Sequence, residues 1–160
     1  PFLPATADEA YAHAMAGKDF LQDDSIHLQD WPQAQSQHND PALDAEFATL
    51  LKLRGLANEQ LEALRKDKKI GKALEAKVVI TLSEKDEAYP VLQKYAGALA
   101  ELFIVSQVEL KADNSLTQPR VNALGAEGQR CPRCWRVVDT LEKTKLGDVC
   151  ERCAQALATL

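Results

Sequence analysis

The chain has 160 residues, of which 46% are hydrophobic, and a formal charge of −5. A chain of that length can bury about 70% of its extended surface, so its fold as a whole does not depend on a metal. No apolar run approaches the ~18 residues of a membrane span, and the opening Pro1-Phe-Leu-Pro4 has neither the basic flank nor the apolar core of a secretory signal. It also lacks an initiating methionine, as a segment or processed form of a longer chain would. The net charge hides an asymmetry. Residues 1–51 carry nine acids against Lys18 alone, a net −8, which leaves +3 for the rest. Contacts with polyanions are therefore favoured in the second part of the chain over the first.

In chain order, residues 6–16 have the pattern of a helix. Thr6 is placed to cap it, Glu9 to reach back as the capping-box acid, and Gly17 to stop it. From Lys18 to Asn39 the chain is polar, with Phe20, Leu21, Ile26, Leu28 and Trp31 as isolated anchors. Trp31-Pro32 is expected to pin a loop by burial, with cofactor stacking as the weaker alternative. Asp40-Pro41 is a good helix start. Leu43, Phe47, Leu50, Ala57, Leu61 and Leu64 then mark one buried stripe, which predicts a long helix over about 41–66. Arg54 interrupts that stripe, and Gly55 weakens the helix by about 1 kcal/mol relative to Ala.

Arg65-Lys-Asp-Lys-Lys-Ile-Gly-Lys72 comes next and is the most basic stretch of the chain. Gly71 is expected to end the helix in a left-handed conformation. Its cations suit two roles, stabilising the negative helix end or meeting phosphates. Ala76–Leu82 alternates as a strand. Ser83 with Asp86 predicts a capped helix carrying Ala88, Val91, Leu92, Tyr95 and Leu99 on one face. Leu102–Leu110 is a second expected strand and Val121–Leu124 a third. Together these give a small α/β module over 75–125, with the polar Lys111–Pro119 loop expected to separate it from the cysteine-bearing end of the chain. There is no internal repeat.

All four cysteines lie in the last thirty residues, as Cys131-Pro-Arg-Cys134 and Cys150-Glu-Arg-Cys153. Two C-x2-C turns separated by fifteen residues are the spacing of a tetrahedral zinc site. The alternatives are two disulfides, four buried thiols, or iron in a rubredoxin-like site. Disulfides suit secreted chains, so the expectation is one structural zinc. Four protein ligands leave no open position, and such a site folds a module without activating water. Arg130, Arg133, Arg136 and Arg152 offset the charge of the thiolates.

In three places the chain resembles the C-terminal part of bacterial isoleucyl-tRNA synthetases. One is Pro1-Phe-Leu-Pro-Ala-Thr-Ala-Asp-Glu-Ala-Tyr11 with Trp31-Pro32. Another is Arg65-Lys-Asp-Lys-Lys-Ile-Gly-Lys-Ala-Leu-Glu-Ala-Lys77 followed by Glu101-Leu-Phe-Ile-Val-Ser-Gln-Val108. The last is Cys131-Pro-Arg-Cys-Trp-Arg136 with Cys150-Glu-Arg-Cys153. The terminal finger alone is less specific, because formamidopyrimidine-type DNA glycosylases end in a similar one.

The resemblance implies an α+β chain made of the end of an α-helical anticodon-binding bundle (1–66), a small α/β junction module (67–128) and a four-cysteine zinc ribbon (129–160). It implies a cytoplasmic parent enzyme that joins isoleucine to its tRNA using ATP, with the tRNA for isoleucine and the remainder of the synthetase chain as partners. No membrane is implied and no oligomer is required. The His-Ile-Gly-His and Lys-Met-Ser-Lys-Ser signatures of that class I family do not occur in these residues, and Lys69-Ile-Gly-Lys72 follows a helix instead of opening one as a phosphate loop does. The chain is therefore expected to be inactive alone and to hold no catalytic residue.

RNA is held by cations on phosphates and flat side chains on bases. The residues suited to this are Arg65, Lys66, Lys68, Lys69 and Lys72 after the long helix. In the finger they are Arg133, Trp135, Arg136, Lys143 and Lys145. Trp135 suits two roles, a stacking platform or a lid over the zinc. Arg133 and Arg136 suit phosphate contact or neutralisation of the thiolates. Two other function classes stay open: a zinc ribbon that docks the tail onto its own enzyme body or a protein partner, and a DNA-glycosylase tail.

Overall fold

A computed structural model describes residues 3–15, 25–145 and 147–158. They form two compact units, residues 1–40 and 41–160. In the first, α1 (Pro4–Met15) places Pro4 at its first position, where a missing N–H costs nothing. Thr6 therefore lies inside the first turn and does not cap the helix. Asp8 instead ties the unit together, accepting from the Ser25 hydroxyl at 2.5 Å and from the Ile26 amide at 3.1 Å. The two hydrogen bonds hold its carboxyl below the usual range against the opposing effect of desolvation. Trp31 is 72% exposed, not buried. The described part of this short acidic unit encloses no side chain, so nothing there covers an indole. Gly17, Phe20 and Leu21 lie outside the described residues.

The second unit begins with α2 (Pro41–Lys66), which runs over the predicted range. Its buried stripe is Leu50, Leu53, Ala57 and Leu61; Leu43 is exposed, and Leu53 holds a core position that the sequence pattern missed. The helix ends in a Schellman turn. The Lys69 amide donates to the Leu64 carbonyl at 2.9 Å and the Lys68 amide to that of Arg65 at 3.0 Å, with Lys68 left-handed at φ 57°. Gly71 thus does not end the helix. Its N–H donates to the Glu75 carboxylate at 2.7 Å, bending the basic loop into the first strand.

β1 (Ala76–Leu82) is the middle strand of three. It pairs parallel with β2 (Gln107–Ala112) and antiparallel with β3 (Arg120–Gly125). Ala76, Val78, Ile80 and Leu82 all point into one core, with Leu50, Leu53, Ala57 and Leu61 of α2. Burial of these aliphatic side chains, about 1.5–3 kcal/mol each for Val, Leu or Ile, is what seats α2 on the sheet. Glu46 of α2 adds a polar tie, accepting from Lys94 Nζ at 2.7 Å and from the Tyr95 hydroxyl at 2.6 Å.

Ser83 opens a turn and caps no helix. The Asp86 carboxylate receives the Ala88 amide at 2.9 Å, and α3 (Ala88–Lys94) starts there. The run Leu102-Phe-Ile-Val105 is likewise not strand. It closes the short helix α4 (Leu99–Leu102) in a second Schellman turn, with Ile104 left-handed and Val105 N–H on the Ala100 carbonyl at 3.0 Å. Phe103 and Val105 are buried either way, which is why a short apolar run does not distinguish the two structures. The loop after β2 leads into β3 and so lies within the α/β module; it does not separate that module from the cysteines.

The rest of the chain forms two short antiparallel pairs, β4 (Gln129–Arg130) with β5 (Val137–Val138) and β6 (Glu142–Thr144) with β7 (Gly147–Val149), then α5 (Glu151–Ala158). The architecture is mixed helix and sheet. Cys131, Val149, Cys150 and Cys153 form a core of their own that shares no residue with the larger one. No helix among the described residues is long and apolar enough to cross a membrane.

Left-handed backbone costs a side chain with a Cβ about 1–2 kcal/mol, and glycine escapes that cost. Lys68→Gly is accordingly expected to raise the stability of the 41–160 unit by about 1 kcal/mol, measured by urea unfolding. No gain, or a loss, would show that the lysine side chain stabilises the turn.

Candidate metal centre and nucleic-acid face

Gly128, at φ 131°, starts the cysteine module. A Cβ there would run into the Val138 carbonyl, so only glycine lets β4 approach β5 this closely. Cys131 comes next, wholly buried, its amide donating to the Arg136 carbonyl at 2.8 Å. The Trp135 amide returns to the Cys131 carbonyl at 2.9 Å, and Trp135 takes a left-handed φ of 66°. This closes the first knuckle. In the second, Cys150 precedes α5 and Cys153 sits in its first turn.

The four sulfur atoms lie within 4.8 Å of one another, and those of Cys134 and Cys150 are 3.6 Å apart. Tetrahedral zinc with bonds of about 2.3 Å requires sulfur–sulfur distances of about 3.8 Å, so the cluster fits such an ion. None of the four is in a disulfide. The Cys150 amide donates to the Cys131 sulfur at 3.3 Å and the Arg133 guanidinium to that of Cys153 at 3.5 Å, bonds that suit thiolates.

Burial works against ionisation of Cys131, but amide donors from Cys134, Cys150 and Arg133 outweigh it and bring the thiol down to about 6. Burial pushes Cys150 up to about 12, helped by the neighbouring sulfurs, and also raises Cys134. Cys131 thus ionises readily, whereas Cys134 and Cys150 keep their protons near neutral pH unless a cation joins them.

The basic loop and the first knuckle meet. Lys72 Nζ lies 4.7 Å from the centre of the Trp135 ring, and the Arg130 guanidinium lies 6.0 Å from it, both in cation–π range. Trp135 is half exposed, so part of its surface is open to solvent beside these cations. Lys66, Lys68, Lys69 and Lys72 are exposed, and Lys69 has Asp67 at 3.3 Å. Arg65 pairs with Glu62 one helical turn back.

Arg133 and Arg136 have other partners. Arg133 faces the sulfurs, and Arg136 donates to Glu101 at 3.1 Å. Lys143 and Lys145, exposed on the β6–β7 hairpin, line a groove with Ala154, Gln155 and Leu157 of α5. Glu101 and Ser106 join the site although the sequence marks them only as part of a segment carrying the resemblance, not as site residues. They touch the knuckle from 35 and 31 residues away, and no local pattern marks such contacts.

A metal ion must displace the protons that Cys134 and Cys150 hold at neutral pH. Binding of zinc at pH 7 is expected to release at least two protons per ion, those of Cys134 and Cys150, so affinity falls as pH falls; below about pH 6, where Cys131 also takes up its proton, the slope steepens. Titration calorimetry in buffers of differing ionisation enthalpy measures this. An affinity independent of pH between 5 and 8 would contradict thiolate ligation.

Residues 1–80 match the family model described as the anticodon-binding domain of tRNA ligase. Over 99% of its length the chain is 35% identical to an isoleucine–tRNA ligase of Natranaerobius thermophilus. It is 36% identical over 100% of its length to one of Staphylococcus epidermidis, and 33% identical over 98% to one of Kosmotoga olearia. It spans only 17–18% of the length of these relatives. With its first eighty residues matching that model and its whole length aligning to such ligases, the chain belongs to the anticodon-binding-domain family of tRNA ligases.

Proposed function

We propose that the chain is the tRNA-engaging C-terminal part of an isoleucine–tRNA ligase. The parent enzyme attaches isoleucine to its tRNA in the cytoplasm using ATP, through a class I catalytic domain that these residues do not include. The observation that carries the reading is the meeting of Lys72 with Trp135. It joins the most basic loop of the chain to the first cysteine knuckle, giving phosphate-seeking cations beside a half-open indole, in a chain whose relatives are tRNA ligases.

In this reading residues 1–66 are the end of a helical anticodon-binding bundle, 67–128 a junction module and 129–160 a zinc ribbon. Cys131, Cys134, Cys150 and Cys153 hold one structural zinc; the sulfur spacing and the all-thiol donor set support that ion. Bound there, zinc would supply rigidity and no reactive position. The chain's own residues act on tRNA by binding alone. Lys66, Lys68, Lys69 and Lys72 meet phosphates, Trp135 stacks on a base, and Arg65, Lys143 and Lys145 add positive potential. Arg133 and Arg136 act indirectly, through the sulfurs and through Glu101. The partners are the tRNA for isoleucine and the remainder of the same ligase chain. The family match and the relatives favour this reading over a DNA-glycosylase tail or a docking module alone.

Replacing Lys68, Lys69 and Lys72 together by Ala in the full-length ligase is expected to weaken tRNA binding at least tenfold at low salt. It should also flatten the salt dependence by about two to three in log–log slope, as expected when that many phosphate contacts are lost. Filter binding at several salt concentrations measures both. An unchanged affinity and slope would remove these lysines from the interface.

A further inference from the structure

Lys72 and Trp135 are 63 positions apart and lie on either side of a junction between two separate hydrophobic cores. Apolar packing within each core does not by itself set how the cysteine module sits on the sheet. Two polar side chains span that junction. The Ser106 hydroxyl, at the entry to β2, donates to the Leu74 carbonyl and accepts the Val137 amide at 2.7 Å. One oxygen thereby joins the end of the basic loop to the residue directly after Arg136. The Ser106 amide donates to the Ala76 carbonyl at 3.1 Å, fixing the serine to β1. The Glu101 carboxylate lies 3.1 Å from Arg136 and 3.6 Å from Arg152, one arginine from each knuckle.

We propose that Ser106 and Glu101 are positioning residues for tRNA, a bracket that sets the orientation of the cysteine module so that Trp135 and the 65–72 loop present one continuous surface. Val137 is buried, so its amide has no water to turn to if the hydroxyl is removed. Glu101 and Arg152 are exposed and Arg136 is partly buried, so these pairs add little stability. Their role is geometric, since a single carboxylate held between arginines of both knuckles restrains rotation of the module about the Ser106 bond. Arg136 is thereby tied to Glu101. The inference rests on the tRNA-binding reading above and assigns to that site two residues that do not touch RNA.

The test uses the full-length ligase in a Trp31→Phe background, which leaves Trp135 as the reporter within this region; any indole elsewhere in the ligase is subtracted with a Trp135→Phe control. Ser106→Ala is compared with Ser106→Thr, which keeps the hydroxyl. Bound zinc, acrylamide quenching of Trp135 and affinity for the tRNA of isoleucine are measured. The expected result for Ser106→Ala is full zinc content, greater quenching of Trp135 and roughly tenfold weaker tRNA binding, a size usual for one coupled orientation. Ser106→Thr should restore both signals. Unchanged quenching, or changed quenching with wild-type affinity, overturns the proposal.

Should Ser106→Ala lose its zinc, the charge exchange decides. Glu101→Arg alone should weaken binding, and Glu101→Arg with Arg136→Glu should regain it. Failure to regain it overturns the bracket. Wild-type protein that binds tRNA no better than a Trp135→Ala, Lys72→Ala double variant would instead sink the tRNA-binding reading itself, which separates the two failures.

Discussion

Four sulfur atoms confined within 4.8 Å repel one another once ionised, and the protein gathers them at a point that only a cation makes favourable. Much of what distinguishes the last thirty residues depends on that convergence. The two β-pairs are two or three residues long, too short to be stable alone. The buried residues of the small core are Val149 and three of the cysteines themselves. A module with so little apolar surface would draw its folding free energy from ligation in the proposed zinc reading, whereas the sheet and α2 draw theirs from aliphatic burial.

The backbone is most unusual where the two parts meet. Four residues other than glycine take left-handed conformations among the described residues: Leu3 in the first unit, and Lys68, Ile104 and Trp135 in the second. Lys68 turns the chain out of α2 into the basic loop, Ile104 turns it out of α4 toward Ser106, and Trp135 closes the first knuckle. Each carries a small conformational cost that the surrounding structure must offset, and such costs gather at functional sites. Two of the four, Lys68 and Trp135, belong to the surface proposed to meet RNA.

Much of this is legible in the residues. The long helix, the central strand and the cysteine cluster follow from periodicity, alternation and spacing, each a local pattern with a direct physical cause. The departures also have causes. Leu102-Phe-Ile-Val105 is as apolar as a strand, yet α4 needs capping. Gly71 has the residue type of a helix stop, but the Schellman turn falls three residues earlier at Lys68, where hydrogen-bond geometry outweighs residue preference. Trp31 has the residue type of a buried anchor, but its own unit has no described core to bury it. The contacts that unite the candidate site are the least legible. Nothing in the local sequence ties Ser106 to Val137, Glu101 to Arg136, or Lys72 to Trp135, because each depends on how β2 and the first knuckle are juxtaposed.

A helix-end loop and a cysteine knuckle are proposed to act as one surface for RNA. Amide hydrogen exchange on the full-length ligase, with and without the tRNA of isoleucine, tests it most directly. The account predicts that residues 66–72 and 132–136 gain protection together at the same tRNA concentration, while β1 is unaffected. Protection of either segment without the other, or of neither, would contradict it.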